Sequence, residues 1–407
     1  MNSVGSPRIR LPVDVTVHED PRTLSRLRVS FVTETYPPEV NGVALTVARF
    51  VEGLRARGHE VQLVRPKQDR NDQAEVGPNF HEVLMRGMPI PRYPSLRMGV
   101  PSKRALVRLW ASRRPDLVHI ATEGPLGWSA LQASKALRLA VTSDFRTNFH
   151  AYSEHYGVAW LRTPILAYLR RFHNATLRTF VPTPELLSSL STSGFRSLSV
   201  VARGVDTELF NPARRSAALR ESWGVAPDDC VVLCVGRLAP EKNIGLLLSA
   251  YADLVARGLR CKLVLVGDGP LRAEVQQRCP GAVVAGQRFG EELATYYASA
   301  DVFAFPSKTE TFGNVVIEAM ASGLAVVAFR QAAAAQFIEC GSSGLLCEPS
   351  EEGEFPAALH RAVSDSSLAR SLGAVARLRA ESLGWPSTLR LFEAELFSAL
   401  GRRIATI

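Results

Sequence analysis

The amino-acid sequence reads as an α/β protein in which two doubly wound, parallel-sheet domains face each other across a cleft. Three observations carry that reading. Short, continuously apolar segments such as Val231-Val232-Leu233-Cys234-Val235 recur along the chain, and strands without polar alternation are covered on both faces. Between them lie stretches with apolar residues at helical spacing. The series starts afresh after Asn211-Pro212, and 407 residues exceed what one hydrophobic core usually organises.

The elements follow in order. Arg28-Val29-Ser30-Phe31-Val32 is the first strand, and a Pro/Gly loop over 37–42 leaves it. Leu45, Val47, Ala48, Val51 and Leu54 then mark one helix face, ended by the basic turn Arg55-Ala56-Arg57-Gly58. Glu60-Val61-Gln62-Leu63-Val64 is the next strand, so the crossover is right-handed and the pair parallel. Further strands are expected at 116–121, 139–145, 179–182 and 198–202. In the second half they fall at 231–235, 262–266, 282–285, 302–305 and 324–328, with a helix over 243–257. The carboxyl edges of two such sheets line the usual ligand crevice. Residues 1–26 read as a loose tail, followed by domains over 27–205 and 206–384.

Composition narrows the function classes. With 46% apolar and 21% charged residues, 29 Gly and 25 Pro, wholesale disorder, collagen and coiled coil are excluded. No apolar run approaches the 18–20 residues of a membrane span, and residues 1–20 hold no secretory h-region, so a cytoplasmic location is expected. The six Cys lie beyond residue 229 without zinc or disulfide-framework spacing and read as reduced core thiols. Residues 1–205 carry 28 Lys+Arg against 16 Asp+Glu, a net +12, while 206–407 carry 20 against 23, a net −3. A basic half suits a phosphorylated substrate or an anionic membrane surface, or is a solvated Arg-rich face. No dense Lys/Arg tract or RNA-binding aromatic signature accompanies it, so nucleic acid is not an expected partner.

Three loops carry the candidate chemistry. The first is the run Pro306 through Gly323, where a strand ends at Phe305, Glu310 lies in the loop and a helix begins near Gly313 with Glu318 in its second turn. Its free amides suit an oxyanion, and two carboxylates can grip hydroxyls at two ends of a polar ligand. The plainer alternative makes Glu310 a helix cap and Glu318 surface. In the second loop, Gly236-Arg237-Leu238-Ala239-Pro240-Glu241-Lys242, two cations on one rim can hold a diphosphate or merely flank a helix start. The third is Glu34-Thr35-Tyr36-Pro37-Pro38-Glu39-Val40-Asn41-Gly42-Val43, again leading into a helix. Val266-Gly267-Asp268-Gly269-Pro270 is a generic turn, and none of these is a dinucleotide fingerprint or a Walker loop.

Together these motifs resemble the family 4 retaining glycosyltransferases, from about Arg28 to the last helix. The most specific element is Glu310-x7-Glu318 within Glu-Thr-Phe-Gly-Asn-Val-Val-Ile-Glu-Ala-Met-Ala-Ser-Gly. Arg203-Gly204-Val205-Asp206-Thr207-Glu208-Leu209-Phe210-Asn211-Pro212 is similar to the family's interdomain segment. The loop at Glu34-Thr35 and Val40-Asn41-Gly42-Val43 is similar to the glycolipid and mannosyl transferases, sulfoquinovosyl-lipid synthases included. The resemblance implies the two-Rossmann-domain GT-B fold, with residues 385–407, the helix after Trp385-Pro386, crossing back to the first domain. It implies that Arg237 and Lys242 neutralise the leaving nucleoside diphosphate and that Glu318 binds the ribose. Glu310 then meets the donor sugar with the amides of Thr311, Phe312 and Gly313, Gly42 admits the diphosphate, and Arg288 falls where the base is held. Many relatives carry an aromatic–His–Thr motif near the reacting sugar. Here Phe145-Arg146-Thr147 stands in its place, with His150 four residues on, so either Arg146 or His150 takes that role, or His150 is structural.

The implied activity is transfer of a glucose- or mannose-type hexose from a UDP- or GDP-sugar to a hydroxyl acceptor, including lipid-linked ones, with retention. No Asp-x-Asp stands where a metal is held, so neither a metal nor another cofactor is expected. Trp160-Leu161-Arg162 and residues 165–172, apolar and basic together, are candidates for peripheral contact with the inner face of a membrane, or form an interior amphipathic helix. A nucleotide-sugar epimerase of the same fold and a non-catalytic nucleotide-sugar-binding protein remain as alternatives.

Overall fold

The computed structural model describes residues 26–39, 41–90, 93–146, 162–351 and 353–401. The tail over 1–25, His150, and Trp160-Leu161 lie outside the described residues. The first half contains β1 (Arg28–Val32), α1 (Gly42–Ala56), β2 (Glu60–Pro66), β3 (Val76–Gly77) and β4 (Phe80–Met85). A hairpin of β5 (Gly87–Ile90) and β6 (Tyr93–Gly99) follows, then α2 (Lys103–Ser112), β7 (Leu117–Ile120), α3 (Pro125–Leu137) and β8 (Ala140–Asp144). It ends with α4 (Arg162–His173), β9 (Arg178–Val181), α5 (Pro184–Thr192) and β10 (Leu198–Val200). The strand order is β10-β9-β8-β7-β1-β2-β4-β3, parallel except for the edge strand β3.

The second half runs α6 (Ala217–Ser222), β11 (Cys230–Val235), α7 (Ile244–Ala256), β12 (Cys261–Val266), α8 (Arg272–Arg278), β13 (Val283–Gly286) and α9 (Gly290–Ala298). There follow β14 (Val302–Phe305), α10 (Asn314–Ala321), β15 (Ala325–Phe329), α11 (Ala332–Phe337), β16 (Leu345–Cys347), α12 (Glu354–Ser364), α13 (Ser366–Glu381) and α14 (Trp385–Ala399). Its sheet has the order β13-β12-β11-β14-β15-β16 and is parallel throughout. Both orders reverse at an early strand, β1 and β11, and that reversal opens the crevice at the carboxyl edge.

The expected strands are all present, whereas β3 to β6 and β16 are additions. In β4 the run is broken by His81 and Glu82, so it has no apolar signature. Glu82 is tolerated inside because Arg65 Nε donates to its Oε1 at 2.6 Å, while Arg65 Nη1 donates to Asp72 Oδ2 at 2.6 Å. Of the two readings of residues 165–172, the structure favours the interior amphipathic helix: Leu169 is buried with Ile165 and Leu166 packed on the same core, and Phe172 is buried in the neighbouring cluster around Trp110 and Leu126. Their helical spacing serves the interior, leaving Arg170 and Arg171 at the surface. The cysteines are free, but Cys340 is exposed and not a core thiol.

The last helix returns to the first sheet. Phe392 of α14 is buried against Phe31, Phe50 and Phe180, stacking on Phe50 at 4.1 Å between ring centroids. Glu393 adds a polar anchor: its Oε1 accepts from His59 Nε2 at 2.7 Å and its Oε2 from Arg57 Nε at 2.7 Å. The imidazole tautomer follows from His59 Nδ1, which accepts the Leu27 N–H. The two chain crossings between the sheets run side by side, with Val205 N–H donating to Leu383 O at 3.0 Å. Among the described residues no helix is long and apolar enough to cross a membrane.

Candidate active site in the interdomain cleft

A cavity of about 870 Å³ lies between the two sheets. From the first domain it is lined by Glu34, Gly42, Glu123 and Arg146, and from the second by Arg237, Lys242, Glu310, Thr311, Phe312 and Gly313. Eight of the residues singled out in the sequence therefore meet in one space. Arg288 lines an adjoining cavity of about 480 Å³, joined to the first through Val235, Gly236 and Arg237. Glu318 lines neither.

Local structure explains each placement. Glu34 leaves β1 and accepts the Leu126 N–H at 2.8 Å as well as the Gly99 N–H. It thus ties the start of α3 to the end of the hairpin, and burial pushes its carboxyl above the ordinary range. Asn41 caps α1 by accepting from Val43 and Ala44 N–H at 3.1 and 2.8 Å, which leaves the Gly42 amide outside that cap. In the second domain, Gly313 adopts φ +87° as the residue before α10, a conformation that side chains disfavour. No side chain caps α10, so its first amides remain for a ligand oxygen.

The electrostatics are more organised than spacing reveals. Glu310 does not cap α10. It forms an ion pair with Lys242 and accepts from Ser307 Oγ at 2.8 Å. Arg237 lies 3.7 Å from Glu241, with the guanidinium half exposed. Arg146 is 2% exposed and fixed by Asp144, whose carboxylate accepts from its Nε at 2.8 Å and Nη2 at 3.2 Å. Burial pushes the Asp144 carboxyl up, yet Arg146 and His119 outweigh this and hold it well below the usual carboxylate range. Of the two alternatives for the missing histidine, Arg146 is in the cavity wall and His150 is outside the described residues. Glu318 is half-buried, and its carboxylate accepts from Tyr297 OH at 2.9 Å. Burial raises the Glu318 carboxyl to about 7, against a smaller opposing effect of that hydrogen bond.

Sequence reasoning missed Arg203 and Asp144. Arg203 is 8% exposed, lines the same cavity, and donates from Nη1 to Asn314 Oδ1 at 3.3 Å across the domains. Its place just before the interdomain crossing was the available signal, but burial of an arginine there has no pattern in sequence. Among the described residues no group of three or more His, Cys, Asp or Glu could hold a metal ion.

Comparison with known proteins accords with this geometry. Residues 40–209 match the family described as Glycosyltransferase Family 4, and residues 229–365 match Glycosyl transferases group 1. The chain is 35% identical over 345 residues to a GDP-mannose-dependent alpha-mannosyltransferase of Corynebacterium glutamicum, covering 84% of this chain and 81% of that protein. It is 29% identical over 391 residues to the sulfoquinovosyl transferase of Arabidopsis thaliana, covering 93% and 75%. The sucrose-phosphate synthase of Thermosynechococcus elongatus shares the fold, with a TM-score of 0.73 at 22% identity over 92% of this chain and 100% of that one. With each half matched in turn and the mannosyltransferase likeness spanning both, the chain belongs to glycosyltransferase family 4 and has its GT-B fold.

Proposed function

We propose that this protein transfers mannose from GDP-mannose to a hydroxyl acceptor with retention at the anomeric carbon and without a metal ion. The donor follows the similarity to the GDP-mannose-dependent enzyme. The observation that carries the reading is the cleft wall on which Lys242, Glu310 and Arg237 stand opposite Gly42 and Arg146. In this reading the guanosine occupies the adjoining cavity near Arg288 and the diphosphate lies along Arg237 and Lys242; the ribose role of Glu318, which lines neither cavity, rests on the family resemblance alone. These cations and the α10 amides stabilise charge on the departing diphosphate, the part a divalent ion plays elsewhere. Glu310, oriented by Lys242 and Ser307, accepts from sugar hydroxyls.

The reaction then breaks the bond between the anomeric carbon and the distal phosphate oxygen and forms one to the acceptor oxygen on the same face. The acceptor proton passes to the leaving phosphate. The test is incubation with GDP-mannose, GDP-glucose, UDP-glucose and UDP-galactose over a panel of hydroxyl acceptors, with and without EDTA, the linkage being read by NMR. An α-linked mannoside formed from GDP-mannose in EDTA is the expected product. A β-linked product removes retention, abolition by EDTA removes metal independence, and preference for a UDP-sugar removes the donor.

A further inference from the structure

The cleft wall contains a buried cation, Arg203, that the reading above does not use. Arg203 stands at the crossing between the domains, its guanidinium in the wall of the large cavity. Its Nε is buried and has no hydrogen-bond partner, and no carboxylate pairs with it among the described residues. Among the described residues it also makes one weak bond from Nη1 to Asn314 and faces the Phe312 ring at 5.8 Å. This contrasts with the rim cations, since Lys242 pairs with Glu310 and Arg237 lies beside Glu241. The charged groups facing Arg203 are Arg146 and Asp144 from the first domain and Glu310 from the second. Asp144 is occupied by Arg146 and Glu310 by Lys242, so a cation is left over. Burial, then the neighbouring Arg146 cation, push the Arg203 guanidinium down to about 9. A buried unpaired charge is costly, and a protein retains one where a ligand supplies the counter-charge.

Position identifies the ligand. Arg203 Nη1 is so close to Gly42 that a Cβ there would stand 2.8 Å from it, and Asn314 is the first residue of α10. The guanidinium therefore lies between the two helix starts that flank the reacting bond in the proposed donor pose. We infer that Arg203 binds the distal phosphate of the donor's nucleoside diphosphate, completing from the interdomain crossing a clamp whose other cations come from the second domain. This rests on the nucleotide-sugar reading and deepens it. As the bond to the sugar breaks, negative charge gathers on that phosphate, and a guanidinium already desolvated beside it gains most at that moment.

The experiment is calorimetric titration of the full-length protein with GDP and with GMP, using wild type, Arg203→Met and Arg203→Lys, together with thermal unfolding of each. Wild type should bind GDP more tightly than GMP. Arg203→Met should lose about 10–100-fold in GDP affinity and less than about twofold for GMP, with Arg203→Lys between. The ligand-free melting temperature of Arg203→Met should be unchanged or raised, because a charge without a partner has been removed; a structural bracket would instead lower it. Equal GDP affinity in wild type and Arg203→Met overturns the inference while leaving the function intact. Should Arg203→Met not fold, Arg203→Lys decides alone: reduced GDP affinity with GMP affinity kept supports the inference, and wild-type GDP affinity in it overturns it. Absence of GDP binding to wild type sinks the underlying reading and this one together.

Discussion

A lysine on a loop rim ordinarily tolerates replacement, but Lys242 shares a mostly buried ion pair with Glu310, and both are about five-sixths covered. Lys242→Ala should abolish most turnover and, by stranding Glu310, cost about 1–3 kcal/mol of stability. The double variant Lys242→Met/Glu310→Gln should recover stability but not turnover, and chemical denaturation beside a transfer assay separates the two. The glutamates should differ in kind. Glu318→Gln weakens both GDP and GDP-mannose binding, whereas Glu310→Gln leaves GDP binding nearly intact and lowers turnover by roughly one to two decades. Similar loss of GDP affinity in both variants would refute that division. Glu318 also carries a pH signature. Between about 4.5 and 7 the folded protein holds a proton that the unfolded chain has released, so stability falls as pH rises through that window. Glu318→Gln should flatten the slope, and it should also remove a gain in GDP affinity between pH 6 and 8, where the ionised carboxylate becomes the better acceptor for ribose hydroxyls.

At the scale of elements, apolar continuity made the central strands legible, and helix-start chemistry located the three loops that meet in the cleft. What could not be read were elements whose apolar signal is broken by a partner far away. β4 depends on Arg65 to bury Glu82, and no local pattern announces that pair. The same limit hid Arg203 and Asp144, whose roles arise from charges brought together by the fold. It also left the apolar face of α4 undecided between two readings. Its apolar positions were correct as a helical stripe, but a stripe does not say whether it meets lipid or protein, and here Leu169 and Phe172 lie in the interior. Beside the exposed Tyr168, the basic edge at Arg170 and Arg171 offers this helix an electrostatic contact with lipid. Flotation with anionic vesicles should show enrichment at low ionic strength that vanishes near 0.5 M salt, where the Debye length falls to about 4 Å. Salt-resistant binding would point to an apolar anchor elsewhere in the chain.

The whole molecule is held closed on itself by its last helix. Phe392 fills the space between α1 and the first sheet, touching residues more than three hundred positions earlier. Phe392→Ala should cost about 3–5 kcal/mol, and it should unfold the first sheet at lower denaturant concentration than the second. Hydrogen exchange resolved by segment would check this: early loss of protection in β1 and α1, with β11 and β14 unaffected, is the expected pattern. A single transition with equal loss in both sheets would mean that the domains unfold as one unit.

That helix also sets the order in which the protein can be made. A ribosome delivers β1 to β10 well before Phe392 and Glu393, which complete their core and lie nearly two hundred residues beyond Val200. At roughly 5–20 residues per second, the span from Val205 to Trp385 occupies on the order of 10–40 s of synthesis. During that interval the half born first waits with an open flank around Phe31, Phe50 and Phe180, while the half born second, which carries its own complete core, can close. Birth order and maturation order are therefore opposite, and the nascent first domain is the natural client for any chaperone that guards exposed aromatic surface.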